Sequence, residues 1–185
     1  MKTCSVFTML CIGLCLSLAA CDRGKNRRGG DADPALVAYS VGGVVSGLNG
    51  TLVLQNNAGD DLSLNASGSF TFATALADLS DYAVTVLTQP SNPSQTCTVT
   101  NGSGTLAAAN VTNVSVVCTT NTYTVGGTVL GLTGSGLTLR DNGGDDLAIS
   151  ADGSFVFATA LADLSAYAVT VQAQPTGPSQ TCSVT

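Results

Sequence analysis

The sequence predicts an all-β protein of two tandem antiparallel β-sandwiches, the second incomplete, behind an amino-terminal targeting segment. Three observations carry this. The 185 residues contain no His, no Trp and no Glu, so all 12 acidic residues are Asp. Glu, Lys and Arg normally cover helix surfaces, whereas the abundant Val and Thr suit a pleated sheet. Short apolar alternations recur between clusters of Asn, Asp, Gly and Ser, which is the pattern of brief strands and tight turns. A long internal repeat then divides the chain into two similar units.

Residues 1–20 read as a signal peptide. Lys2 supplies the positive start, and Val6 to Ala20 is nearly all apolar or small. The run ends in Leu18-Ala19-Ala20-Cys21, which resembles the lipobox of bacterial lipoproteins. The resemblance implies that the Cys21 thiol carries a diacylglycerol, that the preceding peptide is removed and that the new amino terminus is acylated, as with palmitate. Such chains, at about 0.8 kcal/mol per buried methylene, hold a protein on a membrane. The alternatives are an ordinary secretory signal or a transmembrane helix. For the latter the apolar run is short and is followed at once by Asp22-Arg23-Gly24-Lys25.

Residues 21–38 read as the lipidated Cys and a tether. Its bases Arg23, Lys25, Arg27 and Arg28 lie beside the anchor and suit anionic headgroups, with a solvated spacer as the plain alternative. Asp22 resembles the inner-membrane retention signal of enteric lipoproteins. The expected location is the bacterial cell envelope, at the outer membrane or cell surface, with the periplasmic face of the inner membrane as the reading Asp22 favours. Beyond Tyr39 only Arg140 is basic, against nine Asp. That acidity argues against nucleic acid, which needs clustered Lys and Arg.

Tyr39-Ser40-Val41-Gly42-Gly43 recurs as Tyr123-Thr124-Val125-Gly126-Gly127, and residues 60–100 align without a gap with 145–185, identical at 30 of 41 positions. The boundaries are 39–121 for the first repeat and 122–185 for the second. The second copy stops where its last strand is expected to begin, so the chain reads as part of a longer polypeptide. About seven strands are expected per unit. Val41 to Val45 carries a Gly pair, a sign of a bulge or bend. Leu52 with Leu54, and Leu62 with Leu64, alternate around the turn Asn56-Asn57-Ala58-Gly59. Phe70 and Phe72 share one face, and Tyr82, Val84 and Val86 another. Cys97 with Val99, and Val114 with Val116 and Cys118, hold inward parity. Residues 73–79 fit either an irregular crossing or one helical turn.

Cys97 and Cys118 fall in the inward register of neighbouring strands. Export makes a disulfide reasonable, with two buried thiols as the alternative. Cys182 matches Cys97 and is expected to be unpaired. The motifs Val41-Gly42-Gly43-Val44, Gly68-Ser69-Phe70-Thr71-Phe72 and Tyr82-Ala83-Val84-Thr85-Val86 resemble transthyretin-like (prealbumin-like) and carboxypeptidase-regulatory-like sandwiches, and also Ig-like repeats of bacterial surface lipoproteins. Over residues 39–185 the resemblance implies stalk, adhesion or display roles and transfers no catalytic residue.

The inventory agrees. A Ser or Cys triad needs a base, and there is no His. The same absence excludes a His–Cys zinc site. A Ser–Lys pair finds only Lys25 in the mature chain. Asp78 and Asp81 are the pair closest to a glycosidase arrangement, but Asp81 becomes Ala166 in the second copy. Adjacent Asp60 and Asp61 are expected to face opposite ways on a strand. No catalytic residue is expected.

Asp141-Asn142-Gly143-Gly144-Asp145-Asp146 offers hard oxygens of the kind calcium prefers, matched by Asn56, Asn57, Asp60 and Asp61; the plainer reading is hairpin-turn chemistry. Tyr39, Tyr82, Tyr123 and Tyr167 form either a sugar-binding strip or core packing. The sequon Asn49-Gly50-Thr51 carries no meaning in bacterial export. Three functional readings follow: a lipid-anchored spacer or binding protein with an unidentified protein or glycan ligand; the stalk of a larger exported protein; and a calcium-dependent adhesin. Apart from the lipid on Cys21 and that calcium, no cofactor is expected.

Overall fold

The computed structural model describes residues 37–185. The expected signal peptide, Cys21 and the tether up to residue 36 lie outside the described residues. Fifteen strands and no helix occur among the described residues. Ala38, expected within the tether, is already a strand residue.

The first ten strands are β1 (Ala38–Tyr39), β2 (Val41–Ser46), β3 (Leu52–Asn56), β4 (Asp60–Leu64), β5 (Gly68–Thr71), β6 (Leu76–Ala77), β7 (Asp81–Thr88), β8 (Gln95–Thr100), β9 (Ser103–Thr105) and β10 (Val111–Thr120). They form sheets ordered β5-β2-β10-β8 and β4-β3-β7-β9, with a small β1-β6 ribbon. One core joins the two four-stranded sheets. Val41, Phe70, Val114 and Val116 enter it from one, and Leu52, Leu54, Tyr82 and Val84 from the other. The result is a sandwich-like fold in which alternate residues point inward, as strand geometry requires. Phe70 and Phe72 meet edge to face at 5.8 Å, as their shared parity predicts.

All the pairings in these sheets are antiparallel except one: β10 runs parallel to β2, with Val114 beside Gly43 and Val116 beside Val45. The Gly pair allows this approach. A Cβ on Gly43 would lie only 1.8 Å from the Val114 carbonyl oxygen. On its other edge β10 pairs with β8, and Cys118 stands opposite Cys97. The expected disulfide joins them.

Residues 73–79 form no helical turn. Leu76 and Ala77 pair with Tyr39 and Ala38, and Leu79 adopts a positive φ of 62°. The Asp60 carboxylate accepts the Thr74 N–H, which extends the segment. The short strands β1, β6 and β9 raise the count above the expected seven.

The remaining strands are β11 (Thr122–Val129), β12 (Leu137–Asp141), β13 (Asp145–Ile149), β14 (Gly153–Ala162) and β15 (Val169–Ala173). They form sheets β11-β14 and β13-β12-β15. Leu137, Leu139 and Phe157 are their buried centre, with Val125, Leu147, Val169 and Cys182 around it. The β12–β13 hairpin repeats the register of β3–β4: Leu137 faces Ile149 as Leu52 faces Leu64.

Candidate functional site

Every one of the nine Asp beyond Tyr39 is engaged within the chain. Asp78 accepts the Ala108 N–H at 2.7 Å, and Asp81 accepts the Thr105 hydroxyl at 2.6 Å. This pair anchors the segment leading into β10. Asp60 accepts from Thr74 at 2.9 Å while Asp61 accepts from Gln55 at 2.6 Å, so the adjacent carboxylates take separate partners.

The turn acids follow the same rule. Buried Asn56 accepts the Ala83 N–H at 3.1 Å through its side-chain oxygen, and buried Asp141 accepts the Ala168 N–H at the same distance. Asn57 and Asn142 donate to the carbonyls of Asp81 and Ala166. Asp145 holds Thr159. Asp146 pairs with Arg140, whose Nη2 donates at 2.8 Å. That guanidinium, mainly through its hydrogen bond, holds the Asp146 carboxyl below its ordinary value, while Arg140 is raised. Among the described residues no group of three or more Cys, Asp, Glu or His could hold a metal ion. The side-chain oxygens of Asn56, Asp60, Asp141 and Asp145 thus accept backbone N–H groups, as turn formation requires, while Asp61 and Asp146 accept from the side chains of Gln55 and Arg140.

The four tyrosines divide between the halves. Tyr82 is buried and Tyr39 packs against the same core, whereas Tyr123 and Tyr167 are exposed. The latter pair borders a groove of about 300 Å³ along β11, together with Val125, Gly126 and Leu161. Cys182 is a free thiol, partly buried. Gln174 holds it, accepting the Cys182 N–H at 2.8 Å and donating to its carbonyl at 3.0 Å.

One site was not anticipated from sequence. A single residue, Asn121, separates β10 from β11. Its N–H donates to the Ser94 carbonyl at 2.9 Å, and its carbonyl accepts the Asp163 N–H at 2.8 Å. Its side chain donates to the Ser94 hydroxyl at 2.7 Å and accepts from Thr96 at 2.8 Å. The Asp163 carboxylate closes the ring, accepting the Ser94 N–H at 2.6 Å. The sequence did hold a signal: Asn121 is the only residue between two strongly β-forming runs, Val111–Thr120 and Thr122–Val129.

No protein-family model, curated protein or solved structure matches the chain.

Proposed function

We propose that this chain is a lipid-anchored, non-catalytic stalk of a bacterial cell envelope, in which tandem Ig-like or prealbumin-like sandwich modules act as spacer and binding elements. Cys21 carries the lipid, residues 22–37 give reach, and the modules project a ligand-binding face away from the membrane. The observation that carries the reading is the Asn121 joint. A spacer transmits position only if its units do not swing freely. Here one residue connects them, and five hydrogen bonds tie Ser94, Thr96, Asn121 and Asp163 together. A flexible linker of even a few residues would instead spread the distance between units with the square root of its length.

Two measurements test the proposal. Mass spectrometry of protein expressed in a lipoprotein-processing bacterium is expected to find a mature start at acylated Cys21. Small-angle X-ray scattering is expected to give a narrow size distribution that broadens when Gly-Gly-Ser is inserted after Asn121. An unacylated start removes the anchor. An unmodified chain as broad as the insertion variant removes the rigid spacer.

A further inference from the structure

The chain holds three Asn-Gly pairs, Asn49-Gly50, Asn101-Gly102 and Asn142-Gly143, and the fold treats them differently. In such a pair the glycine nitrogen can reach the asparagine side-chain carbonyl carbon, because no Cβ on the following residue stands in the way. Reaction needs two freedoms. The side-chain amide has to swing toward the backbone, and the next nitrogen has to move to meet it.

Two of the pairs are held. The Asn101 side chain donates to the Asn113 carbonyl at 3.2 Å. Gly102 is wedged: its carbonyl accepts the Val84 N–H at 2.6 Å, and a Cβ on it would lie 2.7 Å from the Val84 oxygen and 2.8 Å from Val99 Cγ1. Asn142 donates its N–H to the Ala168 carbonyl at 3.1 Å and its side chain to the Ala166 carbonyl at 3.2 Å. Asn57 repeats both bonds in the first half, to Ala83 at 3.0 Å and to Asp81 at 2.9 Å, so this hold belongs to the turn itself. Asn49 differs. It is exposed in the loop between β2 and β3, and its side chain makes no hydrogen bond among the described residues. The Gly50 N–H is equally unbonded there, at a φ of 104°. Only the Asn49 backbone is held, its N–H donating to Gln95 Oε1 at 2.7 Å.

We propose that Asn49-Gly50 is a self-modification site whose only co-reactant is water. The Gly50 nitrogen attacks Asn49 Cγ and gives up its proton. A C–N bond closes a cyclic imide, the Cγ–Nδ2 bond breaks and ammonia leaves. Water then opens the imide at one carbonyl or the other. Opening at Cγ leaves aspartate. Opening at the main-chain carbonyl leaves isoaspartate, whose backbone runs through an extra methylene. No electrons are gained or lost. The product also bears on the joint. Gln95, which grips Asn49, donates through Nε2 to the Gly47 carbonyl at 2.9 Å and to the Thr120 hydroxyl at 3.2 Å. Gln95 lies between Ser94 and Thr96, and Thr120 directly precedes Asn121. A lengthened backbone and a new carboxylate at position 49 displace this neutral grip and loosen the joint, an effect that presupposes the rigid spacer proposed above.

The full chain is aged at mildly alkaline pH, folded and in urea, and mapped by peptide mass spectrometry. In the folded chain Asn49 is expected to convert about tenfold faster than Asn101 or Asn142, because each of those first gives up a hydrogen bond. In urea the three rates are expected to converge. Asn49→Gln, whose longer side chain disfavours the ring, is expected to fold normally and to lose the product. Scattering from the aged chain is expected to broaden, and that from aged Asn49→Gln to stay narrow. Asn49 reacting no faster than the other two, or keeping its lead in urea, would overturn the site. Full conversion with unchanged scattering would overturn the link to the joint, and the Gly-Gly-Ser insertion tests the spacer independently of either.

Discussion

Replacing Gly43 by Ala isolates what the parallel strand pair requires. The added Cβ would lie 1.8 Å from the Val114 oxygen and 2.9 Å from its Cα, all backbone atoms that cannot rotate away. Real Cβ contacts stop near 3.0 Å, so β10 must withdraw by roughly 1.2 Å. An N–H···O bond spans only about 2.7–3.2 Å, so a displacement of that size breaks it. Around three net hydrogen bonds, near 1 kcal/mol each, are at stake, together with the partial exposure of Val114 and Val116. The expected loss is about 3–5 kcal/mol, a large share of the roughly 5–15 kcal/mol that holds a domain folded. Gly127→Ala is the internal control. There the ring of Phe155 yields by a few tenths of an ångström. The lost freedom of the unfolded chain favours Ala by about 0.4–1 kcal/mol, so the net change is expected to stay within about 1 kcal/mol. Urea unfolding followed by circular dichroism gives both numbers, and amide exchange at Val44 and Val116 locates the damage. Equal losses at the two glycines, or a Gly43→Ala loss below about 1 kcal/mol, would refute the reasoning.

Four further outcomes are expected. Cys97→Ser with Cys118→Ser opens a loop whose ends are 21 residues apart; the chain-entropy relation gives a loss of about 3 kcal/mol, measurable by urea titration. Ala58 holds φ at 55° where its counterpart Gly143 holds 74°, so Ala58→Gly is expected to change stability by less than about 1 kcal/mol and with a stabilising sign, read as a rise in melting temperature. Asp141→Asn is expected to be nearly neutral because Asn56 fills the same buried position, whereas Asp141→Leu orphans the Ala168 N–H and costs about 1–3 kcal/mol; calcium titration is expected to shift neither melting nor heat. The Arg140–Asp146 pair contributes above the ordinary carboxylate range and loses its contribution as pH falls through the lowered Asp146 value. Both groups are exposed, so Asp146→Asn is expected to flatten a shallow, salt-sensitive acid slope in the melting curve.

Local pattern made much of the strand inventory legible. The alternations at Leu52–Leu54 and Phe70–Phe72 mark inward faces, and the matched parity of Cys97 and Cys118 marks the covalent tie. Such signals belong to single strands and depend on nothing distant. What stayed hidden depends on partners. Gln95-Thr96-Cys97-Thr98-Val99-Thr100 is a strand because β10 lies beside it, and the nearly identical residues 180–185 are not. The parallel β2–β10 pairing joins positions 70 or 71 residues apart, and periodicity carries no trace of it. Residues 73–79 left a helical turn open because Ala and Leu favour helices, but Thr74 is drawn to Asp60 and Leu76 to Tyr39. The tyrosines were legible as packing in the first half only, since the second half leaves Tyr123 and Tyr167 at an open groove.

The parallel placement of the first long strand beside the last has a mechanical consequence. Tension applied at the two ends of the first half pulls β2 and β10 in opposite directions along their common axis. The bonds between them are then loaded together in shear and do not open one after another like a zipper. Bonds loaded together in this way resist more than bonds opened singly. If the pair does slip, the Cys97–Cys118 bond keeps the intervening loop out of the extension, so part of the half stays closed while the rest lengthens.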